Sequence, residues 1–249
     1  MTGYRQCRSP NVEPRRGGRR PDMLILHYTG MASAEAACRW LCDPASKVSC
    51  HYLVDEAGEV TQMVDETWRA WHAGASSWQG DPDINSRSIG IEIHNPGPAG
   101  GYPDFPEAQM ASVVTLAGAI VARHQIRPEH VLAHSDVAPG RKVDPGEKFD
   151  WKRLAGAGIG LWVAPVDVVD GPALKPGDEG AAVIALQAGL ARFGYGIAAS
   201  GVYDAATRIM VAALQRHFRP GRMDGIADGE TQAVLRALLK ASGKTEEPA

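Results

Sequence analysis

Apolar positions follow two rhythms along this chain. Up to about residue 164, short apolar runs alternate with longer helical patterns. Met23 to Leu26 is an unbroken apolar run that carries through His27 and Tyr28 to Gly30, which predicts a buried strand over residues 23–28. Ser33 then offers a helix cap, Glu35 sits in the first turn, and Asp43-Pro44 stops a helix running to about Cys42. Residues 51–55 and 60–64 read as two strands around the turn Glu56-Ala-Gly58. Residues 68–83 read as loop. In residues 89–93, Ile89, Ile91 and Ile93 alternate with Gly90 and Glu92, so Gly90, Glu92 and His94 share the opposite face of a strand. Residues 107–124 carry a helical period, 131–134 a last strand, and 151–154 the start of a short helix. Strands interleaved with helices imply an α/β layer fold.

The second rhythm begins at about Leu174, where short helices alternate with Gly-rich turns. Two segments share a pattern, Gly201-Val-Tyr-Asp-Ala-Ala-Thr207 and Gly225-Ile-Ala-Asp-Gly-Glu-Thr231, and Leu186-Gln187 recurs as Leu214-Gln215. In each, an Asp is placed to cap a helix with Thr three residues inside it, so the segment reads as a duplicated helical unit. The rhythms divide the chain into an Arg-rich arm (1–21), an α/β domain (22–163), a Pro/Gly linker (164–173), a helical domain (174–240) and a tail (241–249). The linker suggests that the two domains fold independently.

Composition narrows the function classes. The chain has 249 residues with 44% hydrophobic and 22% charged, ordinary for a globular protein, and a net charge of −3 gives no reason to expect nucleic acid as partner. Arg5, Arg8, Arg15, Arg16, Arg19 and Arg20 read as a solvated, partly disordered arm. No run is long enough for a membrane span, and none near the N-terminus suits a signal core, which points to the cytoplasm. None of Cys7, Cys38, Cys42 and Cys50 sits in a CxxC pair, which argues against a thiolate zinc site. Cys38 and Cys42 stand four apart on a helix with Cβ atoms about 6 Å apart. They read as free thiols and favour a reducing compartment.

The chemistry concentrates in His134-Ser-Asp-Val-Ala-Pro-Gly-Arg-Lys-Val-Asp-Pro-Gly146. Pro139, Gly140, Pro145 and Gly146 restrict this loop, so its polar groups can be aimed. Catalytic zinc needs three protein ligands and one open position. His134 and Asp144 supply two, and His27, at the end of the first strand, is the best candidate for the third.

His27-Tyr28-Thr29, Ser88-Ile-Gly-Ile-Glu92 and the 134–146 loop together resemble the zinc-dependent N-acetylmuramoyl-L-alanine amidases of the AmpD/AmiD type, over about residues 22–162. The resemblance implies a central mixed β-sheet flanked by helices, zinc held by His27, His134 and Asp144, and acid/base catalysis by Glu92. It also implies that Lys142 stabilises the oxyanion. The competing reading pairs Lys142 with Asp136 or Glu147 and leaves Glu92 solvated. Trp71, His72 and Trp78 resemble the family's substrate-groove loop, and Asn95 is a further substrate-binding candidate. Some relatives carry Tyr before the His of the first hairpin strand and lack the Glu; here Cys50 precedes His51 and Glu92 is kept. Asp136 reads as a loop-stabilising residue. Trp40, Trp151 and Trp162 read as packing residues, and His51, His94, His124, His130 and His217 as structural or surface residues.

Residues 174–239 resemble a peptidoglycan-binding domain through Gly177-Asp178-x-Gly180, Gly194-Tyr195 and Tyr203-Asp204-x-x-Thr207. The implied partners are peptidoglycan or its muropeptide fragments, with no obligate protein partner. A wall-binding domain also makes the periplasm the alternative location. Two rivals remain: a non-catalytic peptidoglycan receptor, opposed by the intact ligand and acid/base set, and a zinc peptidase, for which no HExxH helix is present.

Overall fold

The chain is described here from a computed structural model covering residues 3–164 and 171–245. Residues 165–170 of the expected linker lie outside the described residues, as do 1–2 of the arm and 246–249 of the tail. In chain order the elements are β1 (Arg5–Gln6), β2 (Val12–Pro14), β3 (Met23–Tyr28), α1 (Ala34–Leu41), β4 (Tyr52–Val54), β5 (Val60–Gln62), β6 (Trp68–Ala70), α2 (Ile84–Arg87) and β7 (Ser88–Ile93). They continue with α3 (Glu107–His124), β8 (Val131–Ala133), α4 (His134–Val137), α5 (Trp151–Gly156), α6 (Ala181–Phe193), α7 (Ala205–Phe218) and α8 (Gly229–Ala241).

Six strands form one mixed sheet in the order β1-β5-β4-β7-β3-β8. β3 lies between β7 and the edge strand β8 and pairs in parallel with both, and its unbroken apolar run follows from cover on both faces. Leu24 and Leu26 face α3, packing with Ile89, Ile91 and Ile93 against Met110, Val113, Leu116 and Ile120. Met23 and Ile25 face the other way and join Trp78, Leu132 and Val137 in a core with Phe193, Tyr195, Leu214 and Phe218 of the C-terminal segment. The helical segment thus completes the second layer of the sheet. The sequence expectation of two independently folding domains does not include this shared core.

The duplication has a physical meaning. Asp204 and Asp228 cap α7 and α8 by accepting from the Thr207 and Thr231 amides. Gln187 then donates to Thr207 Oγ1 and accepts from the Gly201 amide, and Gln215 does the same with Thr231 Oγ1 and the Gly225 amide. Each buried Gln ties the end of one turn to the start of the next helix, so the repeated Leu-Gln and Asp-x-x-Thr patterns make the same bonds twice.

Two expectations are corrected. The Arg-rich arm is ordered: β1 extends the sheet beside β5, and β2 pairs with β6 inside the stretch expected as loop. Arg15 is buried and donates to the carbonyl oxygens of Glu66, Asn85, Ser86 and Ser88. Trp78, expected in a substrate groove, is fully buried with its ring against Phe193 and Tyr195.

Candidate active site

The parallel strands β3 and β7 end together, with His27 directly paired to Glu92. β8 ends one residue before His134. Functional side chains therefore converge at the C-terminal edge of a parallel sheet, on the face opposite α3, where connecting loops leave a crevice. A groove of about 370 Å³ opens there, lined by Tyr28, Trp40, Trp71, His72, Glu92, His134, Arg141, Lys142 and Asp144 among others.

At its floor, His27 Nδ1, His134 Nδ1 and Asp144 Oδ2 form a triangle with edges of 2.9, 2.9 and 3.1 Å. Their protonation follows from what lies behind them. His134 Nε2 faces the Ala73 carbonyl oxygen at 3.0 Å, which can only accept, so Nε2 carries the proton. Ser88 Oγ spends its hydrogen on the Ile84 carbonyl and hence accepts from His72 Nε2. His72 Nδ1 then accepts from His27 Nε2 at 3.0 Å. Burial, followed by the neighbouring His27, holds the His72 pKa well below its usual value, and burial, then His134, lowers that of His27 to about 4. Both rings are therefore neutral. Burial resists ionisation of Asp144, yet its contacts with His134 and His27 outweigh it and keep this carboxyl well below the usual range. Two ring nitrogens and a carboxylate oxygen, all able to ligate a metal, thus face one another at 2.9 to 3.1 Å. Edges near 3 Å suit three ligands at about 2 Å from a common zinc-sized centre.

Glu92 stands beside this triangle. One side of the residue opens to the groove, whereas Oε2 is sealed and has no hydrogen-bond partner. Burial, then the Asp144 carboxylate, push its pKa up to about 8, and Lys142 opposes them. Lys142 lines the groove. The competing partner Asp136 is instead engaged by His217 and Tyr195, at 2.6 and 2.7 Å, and by the Ala133 amide. The expectation that Asp136 stabilises the loop is met by that amide bond, which fixes the residue immediately before His134. Cys50 is fully buried and burial raises its pKa far above the usual thiol value, as expected of a core residue rather than a nucleophile.

The substrate-binding candidates separate. Trp71 lines the groove with a buried, unpartnered indole Nε1–H. His72 also borders it, but both its ring nitrogens are engaged, so it orients His27. Gly90 makes this possible: a Cβ there would lie 2.5 Å from the His72 ring. Asn95 is not among the groove-lining residues; its amide donates to the Pro103 carbonyl and accepts from the Gly97 amide, which shapes a loop. Trp40, expected to pack, is instead half exposed on α1 and lines the groove. Its helical period with Ala37 and Leu41, also groove-lining, was the available signal.

Such a ligand triangle beside a buried carboxyl group could serve metal-assisted hydrolysis, and comparison with known proteins specifies the class. The family model described as N-acetylmuramoyl-L-alanine amidase matches residues 17–147, and a peptidoglycan binding domain model matches residues 179–235. The N-acetylmuramoyl-L-alanine amidase AmiD of Escherichia coli is 38% identical over 237 residues, covering 89% of this chain and 83% of the relative. The structure of AmiD in complex with the substrate anhydro-N-acetylmuramic acid-L-Ala-D-gamma-Glu-L-Lys superposes with a TM-score of 0.80 at 36% identity, covering 94% of each chain. AmpDh3 from Pseudomonas aeruginosa superposes with a TM-score of 0.76 at 30% identity, covering 98% of each chain. With the amidase model spanning residues 17–147 and a relative this similar along most of its length, the chain belongs to the N-acetylmuramoyl-L-alanine amidase family.

Proposed function

We propose that this amidase uses zinc held by His27, His134 and Asp144 to cleave the amide between the lactyl group of N-acetylmuramic acid, or its anhydro form, and L-alanine of the stem peptide. The observation that carries the reading is the triangle of two imidazole nitrogens and a carboxylate oxygen, all metal-ligating atoms, held 2.9 to 3.1 Å apart. Zinc bound there supplies Lewis acidity, polarising the scissile carbonyl and acidifying water. The side chains do the rest. His72, with Ser88 behind it, holds His27 in the tautomer that presents Nδ1. Glu92 takes the proton of the attacking water and delivers it to the departing amine; a pKa raised by burial suits a group that must both accept and donate near neutral pH. Lys142 stabilises the negative charge that develops on the carbonyl oxygen. Trp71 and Trp40 offer flat faces for the sugar or peptide.

Complexes of AmiD with an anhydro-muropeptide and of AmpDh3 with anhydromuramic pentapeptide support muropeptide fragments as ligands. In this reading residues 22–163 form the catalytic domain and 174–240 the wall-binding domain, with the arm 1–21, linker 164–173 and tail 241–249 around them. The pairing fits an enzyme of wall turnover or recycling. No helix among the described residues is long and apolar enough to cross a membrane. The test offers the protein intact sacculi and soluble anhydro-muropeptides, with and without chelator, and identifies products by mass. Release of free stem peptide, abolished by chelator and restored by zinc, is expected. Release that survives complete removal of metal sinks the zinc assignment.

A further inference from the structure

A second cluster of metal-ligating side chains lies outside the catalytic groove. Cys7, just after β1, brings its sulfur to 3.1 Å from Cys38 Sγ and 3.2 Å from Cys42 Sγ. All three sulfurs lie within 4.8 Å of one another and are half-buried. The placement is built by two elements. α1 and its cap put Cys38 and Cys42 on one helical face, one turn apart. The Cys7 amide donates to the Gln62 carbonyl at 3.1 Å, which registers the arm along β5 and aims Cys7 at that face. The sequence spacing hides the set because Cys7 is 31 residues from Cys38.

We propose that Cys7, Cys38 and Cys42 form a three-thiolate site for a soft cation of the zinc or copper(I) class. A cation about 2.3 Å from each sulfur would take three protein ligands and leave a fourth position open. That position borders a cavity of about 430 Å³ that Arg5, Arg39, Asp55 and Glu59 also line. Three thiolates around a divalent ion carry a net charge of −1, and the cavity beside them mixes Arg5 and Arg39 with Glu35, Asp55 and Glu59. Binding exchanges three thiol protons for one cation, with no change of oxidation state. Burial pushes Cys38 up to about 11 and Cys42 to about 12, so without a cation these two are neutral thiols rather than reactive thiolates. The site has a structural consequence for the groove. α1 presents Ala37, Trp40 and Leu41 to the groove on its other side. A cation clamping Cys38 and Cys42 to the arm fixes that wall.

The test uses the full-length chain, reduced and stripped of metal, with cadmium as probe. A cadmium–thiolate charge-transfer band in the ultraviolet reports only sulfur ligands and is silent for the His27, His134 and Asp144 site. The His27→Ala variant is expected to bind one equivalent with the full band, releasing three protons and raising Tm. Adding Cys7→Ser is expected to weaken binding roughly a hundredfold or more. Cys42→Ser should do the same, which guards against a folding defect in either single variant. Three results would each overturn the proposal: no band at stoichiometric cadmium, three freely titrating thiols in the folded protein in the presence of the cation, or an intact mass lacking two hydrogens in freshly purified protein. The last would make the cluster a disulfide pair.

Discussion

At the residue scale, Glu92 combines two roles with different dependences on pH. Its folded pKa is pushed from 4.5 to about 8, so the folded chain holds this proton more tightly than the unfolded chain. That contribution to stability is complete below pH 4.5 and is lost as pH rises toward about 8. Glu92→Gln has no proton to lose. In chelator-treated protein its Tm gain over the parent should therefore grow from pH 4.5 to about 8 and then level off. Zinc should narrow the gap, because a nearby cation favours the carboxylate. A Tm difference independent of pH would show that the carboxyl is not sealed from water. In catalysis the same variant should retain zinc while kcat falls by roughly 10²–10⁴, since the amide accepts no proton. Lys142→Ala should likewise keep the metal and lose about 10²–10³ in kcat. Near-normal turnover in either would move its role elsewhere.

At the scale of elements, β7 shows how a strand that supplies no corner of the His27, His134 and Asp144 triangle shapes it. Its Ile positions anchor it to α3, so Gly90 and Glu92 must face the groove. Gly90 leaves the space that the His72 ring fills. Gly90→Ala should displace His72, free the His27 ring and weaken zinc binding by about 10- to 100-fold, the usual effect of losing an outer hydrogen bond. Zinc titration by competition with a chromophoric chelator measures this, and unchanged affinity would mean that His27 is oriented without His72. β3, β7, α3 and the cap of α1 were legible because each depends on local periodicity or a local cap. His27, His134, Asp144 and Glu92 were legible because they stand at strand ends or in a Pro/Gly loop within a family pattern. Pairing of the arm with the sheet, the burial of Arg15 and Trp78, and the engaged amide of Asn95 depend on partners distant in sequence. Nothing in local spacing marks them. His72 was found by motif, but its contact with His27 joins residues 45 apart in sequence and could not be read from local spacing.

At the scale of the whole molecule, the helical segment is more than a tether. Deleting residues 171–245 would expose the Met23, Ile25, Leu132 and Val137 face of the sheet and remove Tyr195 and His217 from the fully buried Asp136 carboxylate. An Asp136 left short of donors is poorly held against the Ala133 amide, next to His134. The Pro/Gly linker alone suggests that a truncated chain cleaves small muropeptides at nearly the full rate. The shared core predicts instead a protein of low Tm that loses zinc readily. A gentler probe separates packing from polymer binding. Tyr195→Phe keeps the ring against Trp78 and removes only the hydroxyl that donates to Asp136. It should cost about 1–3 kcal/mol, with Tm falling on the order of 2–4 °C per kcal/mol for a chain of this size. Sedimentation with sacculi should be unaffected, because this hydroxyl is buried at the junction. Activity on a small muropeptide should fall with zinc occupancy and recover when zinc is added in excess. If Tyr195→Phe is as stable as the parent, the Asp136 cluster does not couple the two layers. If the truncated chain stays folded, zinc-loaded and fully active on small substrate, the helical segment serves the polymer alone.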